Sequence, residues 1–324
     1  MTRPKVYVTR EVHPSVLARL SEVCETRSWA GPDRCPADQL EKEVAEADAV
    51  LGTDRWTAAL MDKAPRLRII ALTAVGFDSV DVPAATERGI IVTNTAGSLT
   101  DTVADLVFAL ILAAARRVCE MDRWIRAGQW QGAAPMALDV HHKTLGIVGF
   151  GRIGTAVAER ARGFQMQVLY HDVVRRPDLE KQFGYQFLDL ESLLSRSDFI
   201  TIHTALTPQT QGMIGEAQLG IMKRTAFLIN TSRGPVVNEP ALIKALQQGR
   251  LAGAGLDVFE KEPIDTENPL LKMENVVLLP HVGSATEATR RAMVDLAADN
   301  TIAVLQGKQP LTPVNPDVLS RLKR

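Results

Sequence analysis

One run constrains this chain more than any other: Leu145-Gly146-Ile147-Val148-Gly149-Phe150-Gly151-Arg152-Ile153-Gly154. A short apolar stretch enters Gly149-x-Gly151-x-x-Gly154. An amphipathic segment follows over Thr155–Phe164, and a second apolar stretch, Gln167–Tyr170, ends at His171-Asp172. That order predicts strand, glycine turn, helix, strand and terminal acid, the unit that binds a dinucleotide. Gly149 permits the tight turn, Gly151 lets backbone approach a pyrophosphate, and Gly154 lets the helix pack on the strand. Backbone N–H groups at the helix start, those of Arg152 and Ile153 among them, face the phosphates. Asp172 stands where a carboxylate accepts hydrogen bonds from a ribose 2′-hydroxyl and repels a 2′-phosphate.

The rest of the 324 residues repeats the same alternation and is too long for one ordinary core, so two domains are expected. Strand patterns at Lys5–Thr9, Ala49–Gly52, Arg68–Thr73 and Ile90–Asn94 alternate with helical ones at Pro14–Ser21, Leu40–Ala47 and Val82–Arg88. A helical stretch over Asp101–Ala127 and an irregular one over Gly128–His141 interrupt the series. After the glycine turn, strands are expected at Phe199–His203, Ala226–Asn230, Ala252–Asp257 and Val276–Leu279. A last helix over Thr286–Gln306 leads to a proline-rich tail, Pro310–Pro316. The predicted class is α/β: two doubly wound parallel-sheet domains, Rossmann- and flavodoxin-like, with a cleft between them.

Bulk properties narrow the partners. A formal net charge of -1 lacks the basic footprint of a nucleic-acid binder. The longest apolar run, Val107–Ala115, is too short to span a bilayer, and no membrane partner is expected. The first residues enter a strand pattern with no signal-peptide core. Cys24, Cys35 and Cys119 have no metal-ligand spacing and read as reduced thiols, so the expectations are a cytoplasmic protein and no metal.

Three loops after strands in the second half carry the ionisable residues that suggest chemistry. Asn230-Thr231-Ser232-Arg233-Gly234-Pro235 presents Arg233. Asp257-Val258-Phe259-Glu260-Lys261-Glu262-Pro263 presents three carboxylates, and Leu279-Pro280-His281-Val282-Gly283-Ser284 presents a histidine. Reduction of a 2-oxo acid needs a cation for the carboxylate and carbonyl, a proton donor near neutral pH, and a carboxylate to orient that donor. Arg233, His281 and Glu262 fit those roles. Singly, each has a plainer reading: a surface charge, a satisfied buried imidazole, a loop anion. Together, downstream of a nucleotide turn, they favour the chemical one. The pair His141 and His142 reads as a turn or surface feature without a chemical role.

The blocks Gly149–Gly154, Asn230–Val237, Ala254–Pro263 and Leu279–Thr286 closely resemble the D-isomer-specific 2-hydroxyacid dehydrogenases, over essentially the whole chain. Thr73–Asp78 and Lys143–Gly149 make it most similar to the bacterial glyoxylate/hydroxypyruvate (2-ketogluconate) reductases. The resemblance implies that residues 1–100 with 287–324 form the substrate-binding domain and 101–286 the dinucleotide-binding domain. It implies that Arg233 binds the substrate carboxylate and carbonyl oxygen, that His281 moves the proton, and that Glu262 keeps His281 protonated. Backbone N–H groups at Val75 and Gly76 would complete the carboxylate site. Asp257 would orient the nicotinamide carboxamide. Cofactor contacts would come from Gly149, Gly151, Arg152, Ile153, Gly154, Asp172, Thr204, Pro208, Thr231, Ser232, Asp257 and Gly283.

Departures within the family sharpen the picture. Similar phosphonate dehydrogenases carry a lysine at the place of Val75, which argues against phosphite oxidation here. NADPH-preferring reductases place arginines directly where this chain has Asp172-Val173-Val174, so NAD(H) is expected. Arg175 and Arg176 follow closely and leave NADP open. Eukaryotic glyoxylate reductases have a tryptophan near the place of Ala133 that reaches the partner subunit's substrate. Its absence leaves room for larger 2-oxo acids. The resemblance also implies a homodimer built on the Asp101–Ala127 region. The leading expectation is NAD(P)H-dependent reduction of a small 2-oxo acid, glyoxylate or hydroxypyruvate, to the D-2-hydroxy acid. The alternatives are an NAD(H)-sensing, corepressor-like binding protein and a dehydrogenase for a bulkier acid such as 2-ketogluconate. A Rossmann-type methyltransferase leaves Arg233, Glu262 and His281 unexplained.

Overall fold

A computed structural model describes residues 3–31, 34–130 and 135–321. Ala133, and with it the inference about substrate size, lies outside the described residues. In chain order the first elements are β1 (Lys5–Val8), α1 (Pro14–Val23), β2 (Glu25–Ser28), α2 (Ala37–Val44), β3 (Ala49–Gly52), α3 (Ala58–Asp62), β4 (Ile69–Leu72), α4 (Val82–Glu87) and β5 (Ile91–Thr93). Then come α5 (Thr100–Ala115), α6 (Val118–Arg126), β6 (Thr144–Val148), α7 (Arg152–Ala161), β7 (Gln167–His171), α8 (Pro177–Phe183), β8 (Gln186–Phe187) and α9 (Leu190–Arg196). The last are β9 (Phe199–Ile202), α10 (Glu216–Ile221), β10 (Phe227–Asn230), α11 (Glu239–Gln247), β11 (Gly253–Leu256), β12 (Val276–Leu278) and α12 (Glu287–Leu305). Two compact units result, Met1–Leu99 with Ala285–Arg324, and Thr100–Ser284.

In the first unit five parallel strands run in the order β2-β1-β3-β4-β5. Strands β3 and β4 are buried along their whole length, because helices cover both faces of a parallel sheet. Val16 and Leu20 of α1 share one core with Ala297, Ala298 and Val304 of α12. Leu40 and Val44 of α2, Met61 of α3, and Ala84 and Ala85 of α4 share the other. The proline-rich tail protects a sheet edge. Val314 N–H donates to Val92 O, and Thr93 bridges Pro313 antiparallel, so the tail covers the open side of β5.

The second unit has seven parallel strands in the order β12-β11-β10-β9-β6-β7-β8. Alternate residues of each strand feed opposite cores. Ile147 joins Val107 and Ile111 of α5 and Val157 of α7, whereas Val148 joins Leu193 of α9, Leu219 of α10 and Leu242 of α11. Strand order reverses between β6 and β9, and ligands of open α/β sheets bind outside the carboxyl ends at such a point.

The observed elements correct the sequence reading in several places. The helical stretch over Asp101–Ala127 is two helices, broken where Arg117 adopts φ 55, a left-handed conformation that cannot continue a helix. Helix α7 begins at Arg152, directly after Gly151, one turn earlier than Thr155. Strand β2, Glu-Thr-Arg-Ser and mostly exposed, carries no apolar alternation and escaped the pattern. So did the two-residue β8 and the short helices α3 and α8–α11.

Candidate active site

The glycine turn lies at the carboxyl end of β6, beside the switch point. Gly149 has φ +93, and a Cβ there would lie 2.7 Å from His203 C and Thr204 N, so only glycine lets β6 turn beneath the loop after β9. A Cβ on Gly154 would lie 2.2 Å from Gly149 O and 3.1 Å from Ile147 Cγ2, which is the close helix–strand packing the motif predicts. A Cβ on Gly151 would meet nothing within 4 Å. Open space there, above the first N–H groups of α7, fits a pyrophosphate.

Asp172 follows β7 and turns toward the glycine loop. Its Oδ2 accepts from Phe150 N–H and its Oδ1 from Val174 N–H at 3.0 Å. Both nearby arginines are already engaged. Arg175 makes a two-pronged pair with Glu180 (2.8 and 2.7 Å), and Arg176 does the same with Asp178 (3.1 and 2.9 Å). Three hydroxyls, Thr155 Oγ1 in the first turn of α7, Thr204 Oγ1 after β9 and Thr231 Oγ1 after β10, are shielded from solvent and have no hydrogen-bond partner among the described residues. Shielded hydroxyls without partners carry a cost of about 1–3 kcal/mol each unless a ligand or water satisfies them. Together with the open space over Gly151 they fit a dinucleotide. Pro208 lies exposed in the same post-β9 loop.

The loop after β10 is organised by Asn230, a residue the sequence reading passed over. Its Oδ1 accepts from Ser232 N–H and Oγ–H at 3.0 and 2.9 Å, and its Nδ2 donates to Arg233 O at 3.0 Å. An Asn at a strand end, followed by small polar residues, is the signal for such a side-chain turn. The half-buried Arg233 donates from one guanidinium nitrogen to Ser232 O at 2.7 Å. Gly234 keeps this loop against the next, since a Cβ would fall 1.9 Å from Phe259 C and O.

Beyond β11, Phe259 N–H donates to Glu262 Oε1 at 3.1 Å, and His281 Nδ1 lies 2.7 Å from Glu262 Oε2. Burial raises the Glu262 carboxyl. The His281 and Phe259 hydrogen bonds and the His281 and Arg233 charges outweigh that and hold it below the ordinary glutamate value. An ionised Glu262 only accepts, so Nδ1 carries the donated proton and Nε2 is left for other chemistry. Asp257 is 1 % exposed, and its Oδ1 and Oδ2 accept from Val282 and Gly283 N–H, each at 2.8 Å. Burial raises its pKa in spite of those two donors. His203, also unremarked in the sequence, is pushed down to about 3 by burial and pairs through Nε2 with Thr201 Oγ1 at 2.8 Å. In the first unit, Val75 and Gly76 form the loop after β4, where Asn94 Nδ2 donates to Val75 O at 2.8 Å.

The family described as D-isomer specific 2-hydroxyacid dehydrogenase, NAD binding domain, matches residues 108–283. The glyoxylate reductase of Korarchaeum cryptofilum is 51% identical over 325 residues, which cover 98% of this chain and 97% of that protein. The crystal structure of a protein from Thermus thermophilus superposes with a TM-score of 0.89 at 44% identity, covering 96% of this chain and 99% of the other. An NADPH-dependent glyoxylate/hydroxypyruvate reductase from Sinorhizobium meliloti, solved with NADP and malonate, gives 0.85 at 38% identity and covers 97% of each chain. With a seven-stranded Rossmann sheet, a glycine turn that fits NAD(P) and relatives matched from end to end, the chain belongs to the D-isomer-specific 2-hydroxyacid dehydrogenase family.

Proposed function

We propose that the protein reduces glyoxylate or hydroxypyruvate to the D-2-hydroxy acid, with Arg233, Glu262 and His281 as its chemical groups. The observation that carries this is the 2.7 Å pair of His281 Nδ1 and Glu262 Oε2 at the carboxyl edge of the Rossmann sheet. Relatives named glyoxylate reductase match 98% of the chain at 51% and 48% identity and support the same reading. A bound NAD(P)H supplies the hydride that reaches substrate C2. Arg233 binds the carboxylate and polarises the carbonyl. His281 Nε2 gives its proton to the carbonyl oxygen as C2 is reduced and recovers one from solvent afterwards. Glu262 fixes the tautomer and keeps the ring in place.

NAD(H) is the preferred cofactor in this reading, because Asp172 opposes a 2′-phosphate while Glu180 and Asp178 occupy the two arginines that would bind it. The active form is a homodimer through the Asp101–Ala127 region, where Val118 is 53% and Ile125 47% exposed. The protein works in the cytoplasm, consistent with the free thiols of Cys24, Cys35 and Cys119. Among the described residues no helix is long and apolar enough to cross a membrane.

Steady-state oxidation of NADH and NADPH with glyoxylate, hydroxypyruvate, pyruvate and 2-ketogluconate tests the proposal. The expected result is fast NADH-linked turnover of glyoxylate or hydroxypyruvate. Tight NADH binding with no turnover of any of the four acids would remove the reductase reading.

A further inference from the structure

We propose that Asp257 is a positioning residue: its carboxylate holds the His281 loop in the backbone conformation that presents the imidazole to Glu262. This rests on the reading of His281 as the proton donor. Three successive N–H groups of that loop close on this one residue. His281 N–H donates to Asp257 O at 2.9 Å, Val282 N–H to Oδ1 and Gly283 N–H to Oδ2, each at 2.8 Å. Asp257 is itself fixed, its own N–H donating to Asn230 O at 2.9 Å.

What needs holding is the backbone of His281, which has φ +54. The left-handed region costs a residue with a Cβ about 1–2 kcal/mol, and it persists only where surroundings impose it. Consecutive N–H groups around such a residue form a concave nest for an anion. Here the anion is a buried side chain of the protein itself. If His281 relaxed to an extended conformation, its Cα–Cβ bond would swing away from Glu262, which sits on a separate loop, and the 2.7 Å Nδ1 contact would be lost. Asp257 thus acts on the proton donor through the backbone, beside any contact its remaining lone pairs make with a cofactor amide.

Asp257→Asn separates the two roles, because it keeps the shape but turns an amide NH2 toward a loop N–H. The chain has six histidines. In cofactor-free protein labelled with [13Cε1]histidine, the His281 resonance is assigned by its loss in His281→Gln and followed in Asp257→Asn. The expected result is a shifted or broadened His281 resonance and a kcat with NADH reduced roughly 10- to 100-fold. A His281 resonance identical to the parent's overturns the proposal, whatever happens to NADH affinity, and leaves Asp257 as a cofactor ligand. Should Asp257→Asn show no cooperative melt, Gly283→Ala carries the same test. Its Cβ would lie 3.2 Å from Asp257 Oδ2 and 3.4 Å from Val103 Cγ2, loading that hydrogen bond from the loop side. An unmoved resonance there overturns the proposal equally. Failure of the reading of His281 as the proton donor looks different: His281→Gln would then retain the parent's turnover.

Discussion

The two flanks of the seven-stranded sheet handle charge in opposite ways. On the β7 side, Asp172, Arg175, Arg176, Asp178 and Glu180 pair with one another and with backbone at the surface. The Glu180 carboxyl is pulled down to about 2, first by its hydrogen bonds from Arg175 and then by that from Tyr170. On the β10–β12 side, Asn230 and Asp257 are buried and spend their polar atoms on the backbone of the loops that carry Arg233 and His281. Exposed ion pairs in high dielectric are worth little and exchange partners easily. Buried acceptors on backbone donors are costly to disturb. The first flank can therefore change its cofactor preference by surface substitution, while the second has little freedom to change its chemistry.

The strongest test of that contrast is at the chemical groups. His281→Gln should lower kcat by about 10³- to 10⁴-fold and Arg233→Gln should collapse turnover comparably, both with NADH affinity nearly intact by fluorescence titration. Equal losses of turnover and NADH binding would count against the roles given to them.

Stability should follow the same division. Asp257→Ala strips the acceptors from two N–H groups in a buried setting and should cost about 2–4 kcal/mol in a denaturant melt. Asp172→Ala, on the more open flank, should cost only about 1 kcal/mol. Similar losses at both positions would erase the distinction.

Cofactor preference offers a smaller effect. Glu180→Gln releases Arg175 from its two-pronged partner and should raise the ratio of NADPH to NADH efficiency about fivefold. The affinity for 2′-phospho-AMP relative to AMP should move with it. An unchanged ratio would mean that Arg175 cannot reach the 2′-position.

The last difference lies inside the active-site flank, where two carboxyls shift in opposite directions. Glu262 is held below its ordinary value, so it adds stability above that value and loses it as pH falls through the depressed one. Glu262→Gln should therefore melt lower than the parent at neutral pH, by under about 1 kcal/mol for so exposed a group, with the gap closing below about pH 4. Asp257 is raised by burial, so its ionisation opposes folding and stability falls as pH rises from the ordinary aspartate value through the raised one. A Glu262→Gln gap that widened toward acid would reverse the sign assigned to that carboxyl.

The sequence determined a good deal by itself. The Gly149–Gly154 run, the alternation of apolar strands with amphipathic segments and the four family blocks were enough for the α/β class, the doubly wound sheets and the family. These are local properties, set by residue type and period, and they survive without knowledge of neighbours. Other features needed distant neighbours. The break at Arg117 has no glycine or proline to announce it, and polar β2 is a strand because β1 gives it partners. Apart from the family resemblance, which gives it a cofactor role, Asp257 reads from sequence as one loop carboxylate among three. Only the fold buries it and brings to it the N–H groups of Val282 and Gly283, which lie more than twenty residues further along the chain. The same holds for the left-handed His281 and its contact with Glu262, because the cost of that backbone conformation is met by hydrogen bonds to Asp257, and the loops after β11 and β12 meet only in the folded sheet.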